Sequence, residues 1–292
     1  LGWLGGFNEW MVRCGLSFAG HPGEDKFINN VGAEATMDLT LHGKIGNIPA
    51  SEVVVVVDKK APHRIRIRGR VNEVSFYGPN LSIWTEISTL PGSNEFRISD
   101  ELTNNGTFDE EFQIIYHANF GRPLLGKGAR MLTASTKIVP FNDNAAKAID
   151  KQEVYPAPTR GFTEEVYKIY PKADKAGNAT AVLVNPKGDR GVTMSWAVKQ
   201  LPFLTQWKNT AAETTGYVTG IEPGTGFPHN RNYERKFGRV PKLAPGKTRS
   251  FDLDFRILGN KSEVQSAVGD VKKLQGTTGP EIQKEPEALP EE

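Results

Sequence analysis

Alternation between apolar and polar residues is the main pattern along this chain of 292 residues. Residues 64–68 and 251–257 alternate at every position, which is typical of strands with one buried face. Residues 53–57 are five consecutive valines, as expected of a strand that is covered on both faces. These patterns predict a protein built mainly from β-strands.

Turn-forming residues separate the predicted strands. Residues 91–93, Pro-Gly-Ser, lie between two strand-like segments and predict a hairpin, and residues 103–106 and 185–189 form further turn clusters. The other predicted strands are residues 36–41, 81–87, 94–102, 111–116, 165–169, 180–184, 192–198 and 217–221. Many short strands with few helical segments predict a large antiparallel sandwich or barrel.

The end of the chain departs from this pattern. Ser262 is predicted to cap the start of a helix whose apolar face carries residues 264, 267, 268, 271 and 274, and Gly276 is predicted to end it. Residues 277–292 are rich in Pro and Glu and are expected to be disordered. We therefore expect a β-sandwich domain over residues 1–260, followed by a short helix and tail over residues 261–292.

Composition narrows the classes of function. A formal net charge of +2 does not favour nucleic acid or an anionic membrane as a partner. No apolar run approaches the ~20 residues that a membrane-spanning helix needs. Cys14 is the single cysteine, so an internal disulfide and a cysteine-based zinc cluster are excluded, and we expect it to be a small buried residue rather than a nucleophile.

Neither a metal nor a cofactor is expected. The five histidines show no HxH or HExxH spacing, and the sequence has no P-loop, dinucleotide fingerprint or Gly-x-Ser-x-Gly motif. The first residues show no secretory signal pattern, so we expect a cytoplasmic protein, and they look like an internal segment of a longer chain.

Two histidines and one glutamate are the main candidates for chemistry. His42, His117 and Glu222 each lie at or just beyond a strand-like run and next to turn-forming residues. Two imidazoles and a carboxylate can move protons between two oxygens near neutral pH. The alternatives are a hydrogen-bonded core histidine at position 117 and an exposed strand-end charge at position 222.

Further residues suit recognition of a sugar. Asn119 follows His117 by two positions on the same strand face, and Trp207 is next to Lys208, which combines a flat apolar ring with a cation. The arginines of residues 64–70 could bind phosphate or a uronate. Alternatively they form an outer sheet face, with Ile65, Ile67 and Val71 packed inward.

Taken in order, these motifs resemble the aldose 1-epimerase (galactose mutarotase-like) superfamily, and most closely its divergent, uncharacterised branch of aldose-epimerase-like proteins. The resemblance covers roughly residues 1–258 and includes the segments 5–6, 13–16, 41–43, 100–106, 116–120, 206–208 and 220–223. It implies an all-β fold, a large antiparallel β-supersandwich with an open concave face that binds sugar. It also implies that strands preceding residue 1 complete the sandwich.

The resemblance also implies roles for individual residues. His117 matches the histidine that protonates the ring oxygen of the sugar, and Glu222 matches the carboxylate that takes the proton of the anomeric hydroxyl. His42 matches a second histidine beside the ring oxygen. Arg13 matches a substrate-binding arginine. Lys208 stands where well-studied members lack a lysine, and Asp189 is the candidate for their sugar-binding acidic residue.

The sequence thus predicts an isomerase that interconverts the anomers of a monosaccharide or sugar derivative by opening and reclosing the ring. The catalytic set is His117, Glu222 and His42, and the substrate-binding set is Arg13, Asn119, Trp207 and Lys208. Two alternatives stay open, which are a non-catalytic carbohydrate-binding protein and a polysaccharide lyase that acts on a uronate-containing chain. The identity of the sugar and the oligomeric state are not determined.

Overall fold

A computed structural model describes residues 2–7 and 9–289 of the chain. Its first nine strands are β1 (Met11–Leu16), β2 (Gly23–Ile28), β3 (Glu34–Leu39), β4 (Glu52–Val57), β5 (Ile65–Val74), β6 (Asn80–Thr89), β7 (Glu95–Asn104), β8 (Glu110–Glu111) and β9 (Gln113–Phe120). The later strands are β10 (Arg130–Thr133), β11 (Ser135–Pro140), β12 (Glu165–Pro171), β13 (Asn178–Val184), β14 (Gly191–Ala197), β15 (Phe203–Thr210), β16 (Tyr217–Gly224), β17 (Lys242–Leu243), β18 (Thr248–Leu258) and β19 (Glu281–Ile282). The predicted all-β fold is confirmed.

The helices are short, apart from the last one. They are α1 (Asp143–Lys147), α2 (Arg231–Lys236) and α3 (Lys261–Gln275), and Gly276 ends α3 as predicted. The predicted cap at Ser262 is wrong, because the side chain of Asn260 accepts the hydrogen bond from the Glu263 backbone N–H. Glu263 in turn accepts from the Asn260 amide at 2.7 Å, so the two side chains close the first turn reciprocally.

Disorder was predicted for residues 277–292, but residues 281–287 make defined contacts with β11 and β12, and residues 290–292 lie outside the described part of the chain. Strand β19 pairs in parallel with β11, and the backbone N–H of Gln283 donates to the Ile138 carbonyl at 3.0 Å. Farther on, Glu287 forms an ion pair with Lys168, with 2.9 Å between Oε2 and Nζ. Disorder was expected because the segment has few apolar residues, but backbone pairing and a charged anchor hold it instead.

The chain divides into two compact units. Unit 1 contains the chain up to Tyr116 together with Gly224–Asp252, and unit 2 contains His117–Pro223 and Leu253–Ala288.

In unit 1, strands β4 to β7 form an antiparallel meander, and the predicted hairpin at residues 91–93 joins β6 to β7. The prediction that the valine run is covered on both faces is wrong, since Val53, Val55 and Val57 are between 57% and 64% exposed. Strand β4 lies at the end of its sheet. Its β-branched side chains favour an extended backbone whether or not they are buried.

In unit 2, helix α3 packs on the sheet that contains β10, β13 and β14. Val264 and Val271 of α3 lie in one buried cluster with residues of β10, β13 and β18 and the residue that follows β10, namely Leu132, Val182, Val184, Leu258 and Ala134. The apolar stripe predicted from the helical spacing therefore faces the core.

The pairing of β12 with β15 defines the sheet face on which the candidate site lies. Val166 is opposite Trp207, and Lys168 is opposite Thr205. Because successive side chains point to opposite faces, every second residue of each strand shares a face. We call one of these faces the Trp207 face, and its residues are Val166, Lys168, Tyr170, Phe203, Thr205 and Trp207. The opposite face carries Glu165, Tyr167, Gln206 and Lys208.

Candidate active site

His117 and Glu222, which are far apart in sequence, are in contact. His117 projects from β9 and Glu222 from β16, and 3.1 Å separates His117 Nε2 from Glu222 Oε1. Their side chains are only 5% and 2% exposed. The structure therefore brings an imidazole and a carboxylate together where little water screens their interaction.

Gly220 permits this close approach. A Cβ atom at position 220 would lie 2.2 Å from Glu222 Oε1 and 3.0 Å from His117 Cε1. Any larger residue would displace the carboxylate or the imidazole. No role was predicted for Gly220, although a glycine within a strand often marks a close approach by another group.

Burial determines the protonation preference of Glu222. Desolvation raises the pKa of its carboxyl well above the usual range, and the negative charge of Glu164 raises this pKa further. The protonated carboxyl is therefore favoured relative to an exposed glutamate. Glu164 itself is exposed, and its Oε2 accepts a 2.7 Å hydrogen bond from Trp207 Nε1.

Trp207 forms an apolar wall beside the pair. Its ring centroid lies 5.4 Å from that of His117, with an edge-on angle of 66°. The indole is half-buried, so one part packs and another remains accessible. A flat ring in this position can stack against the C–H face of a sugar.

Three buried oxygens near these residues accept no aligned hydrogen bond from any residue that the structure describes. They are Asn119 Oδ1, Thr205 Oγ1 and Glu222 Oε1. The Asn119 amide donates to the His117 carbonyl at 3.0 Å, which orients its oxygen. Buried polar atoms are usually paired, so this cluster fits a ligand that supplies several hydroxyl groups.

Lys208 lies on the sheet face opposite Trp207, whereas both were predicted to contact the sugar. Its Nζ is 3.2 Å from Glu165 and 3.0 Å from the carbonyl of Val154, and it lies over the rings of Tyr155 and Tyr167. Burial lowers the pKa of Lys208, while the Glu165 charge opposes that effect. Its position is that of a structural cation inside unit 2.

Arg13 forms an ion pair in unit 1 with the fully buried carboxylate of Asp100, while its own side chain is 16% exposed. Its guanidinium contacts both carboxylate oxygens of Asp100, and the Tyr116 hydroxyl donates to the same carboxylate at 2.9 Å. Burial alone would lower the pKa of Arg13, but the charge and hydrogen bonds of Asp100 outweigh that effect and raise it. Asp100, from the segment at residues 100–106, therefore has a structural role here.

His42, the second predicted catalytic histidine, is buried in unit 1. Its Nδ1 donates to the Ala19 carbonyl at 2.8 Å, and its ring centroid lies 4.5 Å from that of Trp3. Burial lowers the pKa of His42 to about 4, so the ring is neutral at neutral pH. A Cβ at Gly43 would clash with two backbone oxygens, so this glycine accommodates backbone rather than a ligand.

Two arginines of β5, Arg66 and Arg68, have partners within unit 1. Arg66 pairs with Asp58, and Arg68 lies 3.5 Å from Glu86 and over the ring of Trp84. Ile67 is 48% exposed, so the predicted inward packing of this residue is wrong.

Asp189 and Cys14 are the two remaining residues considered in the sequence-based predictions. Asp189 and Asn185 hydrogen-bond to each other across the turn between β13 and β14, with 2.8 Å between side chains. Cys14 is completely buried in an apolar cluster with Val12, Ala19 and Ile115, as expected.

Across residues 2–7 and 9–289, no group of three or more His, Cys, Asp or Glu side chains is arranged to hold a metal ion. Within the same part of the chain, no helix has the length and apolar character needed to cross a membrane.

The DUF4432 family, described as a domain of unknown function, matches residues 1–257. The chain belongs to this family. A solved structure from Klebsiella pneumoniae subsp. pneumoniae MGH 78578, provisionally named an aldose 1-epimerase, is 43% identical over 98% of this chain and 72% of that chain, with a TM-score of 0.91. The predicted membership in the galactose mutarotase-like superfamily is thus confirmed.

More distant members of the superfamily share the fold. A protein from Escherichia coli K12, also provisionally named an aldose 1-epimerase, is 14% identical over 86% of this chain and 84% of that chain, with a TM-score of 0.60. A galactose mutarotase-like protein from Lactobacillus casei ATCC 334 is 13% identical over 85% and 84%, with a TM-score of 0.57. No curated protein matches the sequence of this DUF4432 member.

Proposed function

We propose that this protein is an isomerase that interconverts the anomers of a monosaccharide, with His117 and Glu222 as its catalytic residues. The observation that carries the proposal is the 3.1 Å contact between the buried imidazole and carboxylate, beside an accessible indole ring. Mutarotation needs one group that accepts a proton and one that donates a proton, on two oxygens bonded to the same carbon. Two groups this close together can act on the ring oxygen and on the anomeric hydroxyl at the same time.

The reaction proceeds by ring opening. The Glu222 carboxylate removes the proton from the anomeric hydroxyl while His117 donates a proton to the ring oxygen. The bond between C1 and the ring oxygen breaks, and O1 becomes the aldehyde oxygen. After rotation about C1–C2, the ring hydroxyl attacks the other face of C1, and both protons return. Each positioned acid or base contributes roughly 10²–10⁴-fold.

One proton shared between the two groups suffices for this cycle. The reactive state has the proton on His117 and leaves Glu222 anionic. Burial favours the neutral carboxyl in the absence of substrate, which keeps that proton within the pair. The anomeric hydroxyl donates to Glu222 when the sugar binds, and this hydrogen bond stabilises the carboxylate. Activity therefore requires the singly protonated pair, and its pH profile should be bell-shaped.

The surrounding residues suit a bound sugar. Trp207 supplies an apolar surface for the C–H face of the ring, and Asn119 and Thr205 offer buried oxygens as acceptors for hydroxyl groups. These contacts would hold C1 and the ring oxygen against the catalytic pair.

The proposal is tested by the rate of anomer exchange, followed by polarimetry or exchange NMR on freshly dissolved α-anomers of several aldoses. We expect Glu222→Gln and His117→Asn each to lower kcat/KM by at least ~10²-fold. Their effects should combine less than additively, because the two residues act as one unit. Glu213→Gln, which alters an exposed carboxylate of unit 2, serves as the matched control.

The alternatives predict different results. A protein that only binds carbohydrate would take up sugar without accelerating exchange, and both variants would leave the exchange rate at background. A uronate lyase would release an unsaturated product that absorbs in the ultraviolet. If both variants exchanged anomers at the rate of the unaltered protein, His117 and Glu222 would not be the catalytic pair.

A further inference from the structure

A buried lysine lies on the Trp207 face, next to the proposed catalytic pair. Lys168 is completely buried within β12, and its Nζ lies 2.9 Å from Glu287 Oε2. The Tyr170 hydroxyl donates to the other oxygen of the same carboxylate at 3.2 Å. One lysine and one phenol thus hold the two oxygens of a carboxylate that the C-terminal segment supplies.

The strand register places this group within reach of the same sugar. Lys168 is opposite Thr205, and Trp207 lies two residues farther along β15 on the same face. Such diagonal neighbours are about 7–8 Å apart, and their Cβ atoms are somewhat closer. The extended lysine side chain can cross much of that distance, so a substituent on a sugar stacked at Trp207 could meet its ammonium group.

Another anion can take the place of Glu287 in its ion pair with Lys168 and its hydrogen bond with Tyr170. A buried lysine without a partner is unfavourable, so some anion must accompany Lys168. The segment that supplies it is held by the two-residue strand β19 and by an exposed ion pair between Lys284 and Asp150. Residues 284–288 lie in no strand or helix, and segments next to short pairings and exposed ion pairs open more readily than core strands.

We propose that Lys168 and Tyr170 form a carboxylate subsite of the active site, that the substrate is an acidic sugar of the uronate type, and that Glu287 occupies this subsite until the substrate displaces it. The proposal rests on the proposed function for the location of the sugar. The partners favour a carboxylate, since one ammonium and one hydroxyl match its single charge and two oxygens. A phosphate ester carries up to two charges and three free oxygens.

Direct binding tests this subsite without requiring turnover. Calorimetry would compare D-glucuronate and D-galacturonate with D-glucose, D-galactose and D-glucose 6-phosphate. The Glu287→Gln variant removes the competing charge and keeps the shape of the side chain. Because a tethered group competes at an effective concentration in the millimolar range, we expect uronates to bind about tenfold more tightly to this variant. Neutral sugars should bind as before.

The matched control is Glu285→Gln, which makes the same change at an exposed position of the same segment. It should leave the binding of every sugar unchanged. Equal gains for uronates and neutral sugars in Glu287→Gln would mean that Glu287 only obstructs the site, and the subsite would be refuted. Preferred binding of D-glucose 6-phosphate would refute the assignment of a carboxylate.

A second variant tests Lys168 itself. The double substitution Lys168→Met with Glu287→Gln leaves no uncompensated charge in the sheet, so its fold can be compared by circular dichroism. We expect it to lose at least ~10-fold in uronate affinity relative to Glu287→Gln, as when a hydrogen bond to a charged group is removed, and to bind neutral sugars unchanged. If the affinity for neutral sugars fell equally, Lys168 would be only a structural residue.

These outcomes separate the subsite from the proposed function. Uronate binding that follows this pattern without faster anomer exchange would refute the isomerase and retain the subsite. Faster exchange of neutral sugars without any uronate preference would retain the isomerase and refute the subsite.

Discussion

Replacing Gly220 by alanine provides a sharp test of the proposed catalytic geometry. The new Cβ would lie 2.2 Å from Glu222 Oε1, whereas ordinary van der Waals contacts of a Cβ begin at 3.4 Å. The carboxylate must therefore move by about 1 Å, and a misplacement of about 1 Å can lower an enzymatic rate roughly 10²-fold. That factor corresponds to about 2.7 kcal/mol of transition-state stabilisation.

The effect on stability should be small by comparison. The first contacts of the added methyl group are the ends of the Glu222 and His117 side chains rather than backbone atoms. Inside a strand, alanine also destabilises the folded state less than glycine does, by roughly 0.5–1 kcal/mol. We expect the free energy of unfolding to change by no more than about 1 kcal/mol.

Anomer-exchange kinetics and urea denaturation of the same preparations would measure both quantities. Gly269→Ala in α3 is the control, since a Cβ there meets no atom within 4 Å. In a Glu222→Gln background, Gly220→Ala should cause little further loss, because both changes act on one carboxylate. A Gly220→Ala protein that kept kcat/KM within about twofold of the original value would refute the reasoning.

Two further predictions concern charged residues around the site. Lys208→Met should lower the free energy of unfolding by about 1–3 kcal/mol, because it leaves the largely buried Glu165 without its cation, and chemical denaturation would measure this loss. Sugar affinity should not change, and a large loss of affinity at unchanged stability would instead support the predicted contact with substrate. Glu164→Gln removes a negative charge that raises the pKa of Glu222, so the acidic limb of the kcat/KM profile should move to lower pH at low salt. The tryptophan hydrogen bond can persist in this variant, and 1 M salt should abolish the difference between the two profiles; a shift to higher pH would contradict the assigned cause.

Some features of the fold could be read from local sequence because they depend on local physics. Alternating residues identified the strands, Pro-Gly-Ser identified the hairpin between β6 and β7, and the apolar spacing identified the buried stripe of α3. The burial of β4 could not be read in this way. A run of valines specifies an extended backbone, but the burial of the valine side chains depends on which elements lie next to the strand.

The candidate site was predictable in part. The chemistry of His117, Glu222 and Trp207 follows from residue type. Their positions were predicted less well, because His117 and Glu222 were expected at strand ends, whereas β9 and β16 continue past them. The placement of Lys208 away from Trp207 was also accessible from sequence, since consecutive residues of a strand point to opposite faces. The role of Gly220 could not be predicted from sequence, because it depends on a carboxylate and an imidazole that meet from two strands.

By itself, the sequence determined which segments are extended and which side chains can transfer protons, because alternation and functional groups are properties of neighbouring residues. Only the tertiary structure decided that His117 lies 3.1 Å from Glu222 and that Glu287 reaches Lys168 across more than a hundred positions. Strand pairing and burial bring such residues together, and burial then shifts their pKa values and leaves their oxygens in need of a partner. These effects arise only when distant parts of the chain exclude water from the same place.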